Sequence, residues 1–181
     1  GTLETVTDHL EAVLRRARER AVPSPKRQRY RVATALEKAR ALANPAREEI
    51  DIDTRCEDPE LEFSADLTDV TRILINLVKN AQDALHESQC TGRISIKGFA
   101  ETDCVAIEVS DDGPGVAPEV RQTIFEQGVT SREKVGGLGM GLSICRNLAI
   151  MNGGSLVLDE TVRRGCRFVL RLPDARRAAV R

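Results

Sequence analysis

The sequence is poor in aromatic residues and lacks the paired cysteines that hold metals. Its 181 residues include no Trp, one Tyr and four Phe, which excludes nucleic-acid binding by base stacking on an aromatic platform. The five cysteines form no Cys-x-x-Cys pair and only two His accompany them, which argues against a zinc site. Such cysteines fit reduced thiols in the cytoplasm. We expect Cys104, Cys145 and Cys166 to be small core residues.

The sequence also lacks a net charge of either sign large enough to matter, long apolar runs, and the common phosphate-binding motif. A net charge of −1 gives no bulk reason to bind nucleic acid or a membrane surface. No apolar run approaches the roughly 20 residues that span a bilayer, and no signal peptide is visible. Because the chain starts with Gly rather than Met, we expect a fragment of a longer protein. The absence of Gly-x-x-x-x-Gly-Lys-[Ser/Thr] excludes a P-loop protein.

What the sequence does have is two glycine clusters, at 111–115 and 137–141, with a polar loop between them. Glycine lets the backbone approach a ligand closely and adopt a positive φ. The second cluster runs into an apolar helical pattern, so it would point amide N–H groups at an anion such as phosphate. Two ordinary glycine-rich turns are the simpler alternative for this stretch taken alone.

Hydrophobic periodicity predicts a mixed sequence of helices and strands. The helices are expected at 3–21, 31–43, 66–86, 118–125 and 143–151, and the strands at 49–54, 61–64, 92–100, 104–110, 155–159 and 166–172. We interpret residues 26–29, Lys-Arg-Gln-Arg, as a solvated linker. The Ala- and Arg-rich chain beyond Pro173 is expected to fray.

The predicted helix over 66–86 has a polar stripe beside its apolar one. The polar stripe contains Arg72, Asn76, Asn80 and Asp83, whose spacing places them on one line along the helix. Because Asn is a mediocre helix former, two of them aligned in mid-helix suggest amide oxygens aimed at a metal ion or a phosphate. A merely hydrophilic helix face is the alternative.

Together, the asparagine-bearing helix and the two glycine clusters predict a nucleotide site. A carboxylate at the end of a strand, such as Asp111, can accept a hydrogen bond from the exocyclic amine of adenine, and the glycines after it leave room for the ring. Val116 and Leu142 would supply apolar neighbours. Asn80 offers an amide oxygen to Mg²⁺, which takes few protein ligands and bridges phosphates. Arg132 is a candidate phosphate contact.

These motifs resemble those of the GHKL ATP-binding superfamily. Residues 76–84, Asn-Leu-Val-Lys-Asn-Ala-Gln-Asp-Ala, are similar to its N box, 111–115 to its first glycine box, 124–126 to its phenylalanine motif and 137–142 to its second glycine box. Over about residues 31–173 the chain is most similar to the catalytic and ATP-binding domain of bacterial sensor histidine kinases. The resemblance implies the Bergerat fold, an α+β two-layer sandwich with a mixed sheet and helices on one face, here preceded by a helical segment.

The resemblance also implies roles for individual residues. Asp111 would bind adenine, Asn80 would bind Mg²⁺ and the backbone of 137–141 would hold the phosphates of ATP. Arg132 lies where a related subfamily often has Lys, so it would meet the γ-phosphate. The expected nucleotide contacts are Asn76, Asn80, Asp83, Asp111, Gly113, Gly115, Val116, Thr130, Gly137, Leu138, Gly139, Met140, Gly141 and Leu142, with Asn76, Asn80 and Arg132 as catalytic residues and Asn80 as the metal ligand.

Two positions depart from patterns found within the superfamily. The gyrase, MutL and ninety-kilodalton chaperone branches have a water-activating Glu where this chain has Asn76, and a neutral amide cannot act as a general base. Efficient ATP hydrolysis is therefore disfavoured, whereas a kinase can rely on imidazole as the nucleophile. Asp83 stands where many kinases have Lys, and its carboxylate would repel phosphate.

The implied function is transfer of the γ-phosphate of Mg·ATP to a histidine on the dimerisation helices of a sensor kinase in a two-component system. The implied partners are that phosphoacceptor domain and a response regulator, with a homodimeric full-length protein, no nucleic acid, and a cytoplasmic location, free or as the cytosolic part of a membrane-bound sensor. The alternatives are a degenerate nucleotide-binding scaffold, or a GHKL ATPase or serine kinase.

The expected division of the chain follows from the same resemblance. Residues 1–25 would be the end of a dimerisation helix and its linker, 26–173 the ATP-binding domain and 174–181 a flexible tail. His9 lacks the acid, base and Pro that follow the family's acceptor histidine, and His86 lies at the end of the predicted asparagine-bearing helix, pointing away from its nucleotide stripe. We therefore expect the acceptor upstream of this chain.

Overall fold

The computed structural model describes residues 26–43, 50–89, 91–126 and 141–177. The predicted helix over 3–21 and almost all of the predicted loop over 126–138 lie outside these ranges. Within them the elements follow in this order: β1 (Gln28–Arg31), α1 (Val32–Leu42), β2 (Ile50–Cys56), β3 (Glu62–Ala65), α2 (Leu67–Glu87), β4 (Gly92–Ala100), β5 (Cys104–Asp111), α3 (Pro118–Arg121), α4 (Gly141–Met151), β6 (Ser155–Leu158) and β7 (Cys166–Pro173).

Five of the strands form one mixed sheet in the order β2-β4-β5-β7-β6. β2 and β4 pair in parallel, and the other three pairs are antiparallel. β1 and β3 form a separate antiparallel ribbon, in which Tyr30 lies opposite Phe63. Because β7 is inserted between β5 and β6, a strand from the end of the described chain completes the interior of the sheet.

Alternation along the central strands separates two faces of the sheet. Ile107 of β5 and Leu170 of β7 are fully buried and belong to the same apolar core as the buried residues of the helices. The neighbouring position on β7, Arg171, instead pairs with Glu101 at 2.7 Å. Because side chains alternate between the two faces of a strand, the sheet has helices packed on one face and ion pairs on the other. This arrangement is the predicted two-layer α+β sandwich.

The longest helix, α2, begins where its sequence offers a cap. The side chain of Asp66 accepts hydrogen bonds from the amides of Thr68 and Asp69, at 2.8 and 3.4 Å, and so satisfies two donors at the helix start. The apolar stripe from Val70 to Leu85 is buried, and the helix contacts both α1 and α4. None of the helices in the described ranges is long and apolar enough to cross a membrane.

The interpretation of residues 26–29 as a solvated linker is wrong for Gln28 and Arg29, although all four residues are exposed. Gln28–Arg31 is the strand β1, and its Arg29 pairs with Glu62 at 2.9 Å. Only Tyr30 is half-buried in this strand while the other three residues are exposed, so the segment shows no apolar alternation. A strand made mostly of exposed polar residues cannot be told from a linker by its sequence.

The expectation of a flexible tail beyond Pro173 is also wrong as far as Arg177. Asp174 and Ala175 are buried, and Asp174 forms a β-bridge with Phe63. Burial alone would raise the pKa of Asp174, but hydrogen bonds from Arg176 and nearby positive charge hold that pKa below its ordinary value. Residues 178–181 lie outside the described ranges.

Two smaller predictions need correction. The helix expected over 118–125 is limited to Pro118–Arg121 and continues as turns. Cys145 and Cys166 are buried core residues, as predicted, and burial raises the pKa of Cys145 to about 11 and that of Cys166 to about 12. Cys104 is only half-buried, because it lies at the start of β5 and its Sγ contacts Glu101 Oε2 at 3.2 Å.

Candidate functional site

The polar stripe of α2 faces the beginning of α4. The side-chain amide of Asn76 donates to the carbonyl of Arg72 at 2.9 Å, one turn earlier in the same helix. Its Oδ1 would lie 3.9 Å from a Cβ placed on Gly141, the first residue of α4. Arg72 of α2 is also close enough to α4 for its charge to be felt by the Cys145 thiol. Burial raises the pKa of that thiol, and the charge of Arg72 offsets part of this rise. The structure therefore brings the asparagine stripe and the end of the second glycine cluster together.

Asn80 and Asp83 continue the stripe toward the end of α2, and both are half-buried with interaction partners. Asn80 presents a hard oxygen donor, of the type that Mg²⁺ and Ca²⁺ accept. Within the described residues, no group of three or more His, Cys, Asp or Glu side chains could hold a metal ion.

Asp111 ends β5, and the loop that follows it packs near the end of α2. Its Oδ1 accepts a hydrogen bond from the amide of Gly113 at 3.0 Å. Burial raises the pKa of this carboxyl above its ordinary value, the charge of Asp112 adds to that effect, and backbone hydrogen bonds from Gly113 and Cys166 offset part of it. Asp111 is thus a partly desolvated carboxylate held in place by the backbone around it.

Leu85, near the end of α2, lies under this loop. A Cβ on Gly113 would lie 2.9 Å from Asp111 Oδ1 and 3.3 Å from the Leu85 side chain. A Cβ on Gly92, at the start of β4, would overlap Leu85 and lie 2.6 Å from Asp112 Oδ1. Because two glycines are needed for these approaches, the loop after β5 packs directly onto the asparagine-bearing helix.

A second glycine contact fixes the loop from the other side. Gly115 has φ +79°, and a Cβ there would lie 2.8 Å from the carbonyl oxygen of Gly165. Gly165 has φ +74°, and a Cβ on it would overlap the carbonyl of Asp111. The turn between β6 and β7 therefore lies against the carboxylate-bearing end of β5. From the sequence, Gly165 falls between the predicted strands over 155–159 and 166–172 and so indicates only a hairpin turn, which is why this contact was missed.

The chain after the loop is attached to α4 through Phe125. Val116 is half-buried against the core, and its carbonyl accepts from Arg121 Nε at 2.9 Å. Phe125 meets Phe168 of β7 edge to face, with ring centroids 6.1 Å apart, and the Arg146 guanidinium lies 5.1 Å from the centre of its ring. An aromatic edge contact and a cation–π contact thus hold residue 125 beside α4.

The site also includes the first turn of α4. Gly141 is exposed and Leu142 is half-buried, so the helix begins at the surface of the site. The first amides of a helix have no partner within the helix, and together with the helix dipole they favour an anion at the start of this 11-residue helix. The remaining predicted contacts, Thr130, Arg132, Gly137, Leu138, Gly139 and Met140, lie outside the described residues.

The described parts of the candidate site are therefore the asparagine stripe, the start of α4 beside Asn76, and the loop after Asp111 beside Leu85. A model of the family described as histidine kinase-, DNA gyrase B- and HSP90-like ATPases matches residues 65–176, from the start of α2 to the packed segment after β7. The chain belongs to this ATPase family. All of the described parts of the site fall inside the matched region.

Individual members of the family are similar to the chain over parts of their length. Sporulation kinase D of Bacillus subtilis is 34% identical over 104 residues, which are 58% of this chain and 20% of that protein. The sensor protein FixL of Bradyrhizobium diazoefficiens is 30% identical over 142 residues, which are 77% of this chain and 28% of that protein. The chain thus spans between a fifth and little more than a quarter of these relatives.

Solved structures share the fold. The nucleotide-free catalytic domain of the histidine kinase ThkA superposes with a TM-score of 0.72 at 27% identity, covering 82% of this chain and 96% of that one. Full-length ShkA in complex with AMPPNP superposes with a TM-score of 0.73 at 28% identity, covering 96% of this chain and 38% of that one. The architecture is that of a histidine kinase catalytic domain.

Proposed function

We propose that the chain binds Mg·ATP at this site and transfers the γ-phosphate to a histidine on the dimerisation helices of a sensor kinase. The observation that carries the proposal is the approach of Asn76 Oδ1 to Gly141, with the partly buried Asp111 at the other end of the stripe. The start of a helix favours a phosphate, and an amide oxygen beside it can bind the cation that accompanies the phosphate. A carboxylate between glycines suits the exocyclic amine of adenine.

The base end of the proposed site is built by the loop after β5. Asp111 accepts from adenine, and the bare backbone of Gly113 and Gly115 leaves space for the ring. Val116 and Leu142, both half-buried beside the core, contact the faces of the ring. Leu85 supports Gly113 from below and does not itself touch the base.

The phosphate end is built by the start of α4 and the polar stripe. The amide of Gly141 and the backbone at Gly137, Leu138, Gly139 and Met140 would hold the phosphates, with Thr130 and Arg132 near the γ-phosphate. Asn80 and Asn76 would offer their side-chain oxygens, Asn80 as the metal ligand. We assign Asp83 to a supporting position, because a carboxylate in direct contact would repel phosphate.

The residues of this site fit a magnesium ion that arrives with the nucleotide. Mg²⁺ keeps several waters and takes one or two protein ligands together with phosphate oxygens, and Asn80 is the donor that the stripe offers. When bound, the ion neutralises phosphate charge. The protein's own part is to align the nucleotide, which in phosphoryl transfer supplies most of the catalysis.

Kinase activity is favoured over hydrolysis by the chemistry of Asn76. Its Nδ2 donates to the Arg72 carbonyl, and its Oδ1 belongs to a neutral amide that cannot take a proton from water. An imidazole acceptor needs no such base, because it is already nucleophilic at neutral pH. The proposed partners are the phosphoacceptor helices of the same protein, which we expect to be a homodimer in the cytosol, and a response regulator.

Labelled nucleotide tests the proposal directly. The full chain is incubated with γ-labelled ATP, Mg²⁺ and a dimerisation segment that carries the acceptor histidine. We expect label on histidine, which is stable in alkali and lost in acid. Asn80→Ala should abolish this transfer, while the control Asn147→Ala, an exposed amide on α4, should leave it unchanged.

Other outcomes select the alternatives. Tight ATP binding without label on histidine would make the chain a nucleotide-binding scaffold. Label on a serine of another protein would indicate a serine kinase, and rapid release of free phosphate would indicate a GHKL ATPase. Transfer that persists in Asn80→Ala would refute the assignment of Asn80 as metal ligand.

A further inference from the structure

A fully buried amide joins the two helices of the site at the end away from the nucleotide. Asn152 follows the last residue of α4 and has no exposed surface. Its Oδ1 accepts from the amide of Asp66 at 2.7 Å, and its Nδ2 donates to Asp69 Oδ2 and to the carbonyl of Leu148, each at 2.9 Å. One side chain therefore ties the end of α4 to the start of α2.

The contacts at the two ends of α4 show that the helices run in opposite directions. Gly141 begins α4 beside Asn76, and Asn152 follows its end beside Asp69. At 1.5 Å per residue, the seven residues from Asp69 to Asn76 span about 10 Å and the eleven from Gly141 to Asn152 about 16 Å. Asn152 is thus more than one helical turn from any proposed nucleotide contact.

Apolar packing alone specifies the register of α4 weakly. The buried residues within this helix are Ser143, Cys145 and Ala149, all small, and the two leucines that pack on the core, Leu142 and Leu148, are only half-buried. Small side chains form shallow ridges, so they resist sliding less than large ones do. Hydrogen bonds to a buried polar group are directional, and a single buried Asn is known to fix helix register in coiled coils.

We propose that Asn152 is a positioning residue for the nucleotide site. By fixing α4 against α2, it sets the separation between Asn76 and the first turn of α4. A slip of one residue would move Gly141 by about 1.5 Å along the axis and turn it by about 100°. The inference rests on the proposed function, because it assigns Asn152 a role in the affinity for ATP.

Arg27 provides a weaker contact at the same end. Its guanidinium donates to the carbonyl of Met151 at 2.7 Å, and the neighbouring Lys26 amide donates to Asp66 Oδ2 at 3.3 Å. Both residues are exposed, and water can replace an exposed hydrogen bond at little cost. Arg27→Gln should therefore affect the site far less than loss of the buried amide.

The test compares ATP affinity with stability in the full chain. The variants are Asn152→Ala and Asp69→Ala, which removes one of the three hydrogen bonds, with Arg27→Gln as the exposed comparison. Val105→Ala is the matched control, because Val105 is fully buried at the opposite end of β5 from Asp111. ATP dissociation constants are measured at a temperature at which every variant is folded.

We expect Asn152→Ala to raise the dissociation constant about tenfold, because loss of the three hydrogen bonds lets the first turn of α4 move away from Asn76, so that fewer phosphate contacts form at once. Asp69→Ala should raise the dissociation constant severalfold. Val105→Ala, which we expect to melt at about the same temperature as Asn152→Ala, should keep a dissociation constant within about twofold of wild type. If Asn152→Ala does not fold, Asp69→Ala decides. The proposal is overturned if folded Asn152→Ala binds ATP with wild-type affinity or, where that variant does not fold, if Asp69→Ala does. It is also overturned if the Val105→Ala control loses as much affinity for ATP.

Hydrogen exchange separates this proposal from the proposed function. If the wild-type chain binds no ATP, the proposed function fails, and the nucleotide-free protein then decides the remaining part of the inference, that Asn152 fixes α4 against α2. Faster exchange over 142–148 in Asn152→Ala, with β5 unchanged, supports the positioning role. Unchanged exchange over 142–148 overturns it.

Discussion

Asp111 must satisfy two opposing demands. Burial raises the pKa of its carboxyl, so ionisation is less favourable in the folded chain than in the unfolded one. The proposed contact with the adenine amine needs the ionised form, which the amide of Gly113 supports through Oδ1 at 3.0 Å. The residue is therefore expected to cost stability in return for binding, as functional groups in partly desolvated sites commonly do.

Replacing this carboxylate should reduce affinity for ATP. In Asp111→Asn the oxygen can still accept from Gly113, but the amide nitrogen would face the adenine amine, donor against donor. A hydrogen bond to a charged group contributes about 1.5–3 kcal/mol, so we expect a loss of about 10- to 100-fold in a calorimetric titration with ATP. The control is Asp112→Asn, an exposed neighbour that caps the Arg93 amide at 2.8 Å. Equal losses in both variants would remove the adenine assignment.

The same variant should change the dependence of stability on pH. An acid whose pKa is raised in the folded state contributes stability below its unfolded pKa and loses it as the pH rises through the folded value. At neutral pH the wild-type carboxylate is therefore a cost that the Asp111→Asn variant avoids. We expect the variant to melt at a higher temperature than wild type at pH 7, with a gap that narrows below about pH 4. A gap that widens in acid would contradict the sign.

At the scale of elements, the turn between β6 and β7 is part of the site rather than a simple connection. Gly165 in this turn packs on the backbone of Asp111, more than fifty residues earlier in the chain. The carboxylate is therefore held between the end of α2, through Leu85 and Gly113, and the hairpin. A change in the hairpin should reach Asp111 through the backbone.

Two glycines with similar φ provide a matched test of this contact. Gly165 and Gly153 have φ +74° and +76°, but a Cβ on Gly153 would lie 3.3 Å from the movable guanidinium of Arg27. Gly153→Ala should thus cost about 1–2 kcal/mol of unfolding free energy from the backbone alone. Gly165→Ala should cost about 1–3 kcal/mol more, because it also displaces Asp111. Chemical denaturation measures the unfolding free energy of each variant. Equal losses in the two variants would show that the hairpin moves aside to accommodate the new side chain and does not displace Asp111.

Sequence patterns predicted the elements well and their long-range contacts poorly. The stripe of α2 and the alternation of β4 and β5 are local signals, and all three elements lie where they were expected. β1 was missed because its exposed basic residues show no period. Asn152 indicated only a helix end and Gly165 only a turn, since their partners lie some fifty to ninety residues away along the chain.

For the molecule as a whole, the segment after β7 closes the fold. Arg176 bonds Asp58 in the turn between β2 and β3 at 2.9 Å, and the amide of Ala175 donates to the carbonyl of Glu62 at 3.0 Å. These contacts connect the small ribbon of β1 and β3 to the edge of the main core. Residues 174–177 therefore belong to the folded unit.

Shortening the chain tests that boundary. A chain that ends at Pro173 loses two buried residues and the bridge to Phe63. We expect it to lose about 2–4 kcal/mol of unfolding free energy, the range for loss of several buried contacts. A chain that ends at Arg177 keeps these contacts and should match the full chain in thermal unfolding. If both shortened chains melt like the full one, the segment does not stabilise the fold.

The position of β7 between β5 and β6 has a consequence for synthesis of the protein on the ribosome. Until residues 166–173 emerge, one side of β5 has no strand to pair with, and its buried residues Val105 and Ile107 are incompletely covered. An unpaired, apolar strand edge readily joins other chains. Nascent chains that stall before β7 should therefore be clients of chaperones, and the domain should acquire its native sheet only after nearly all of its length has been translated.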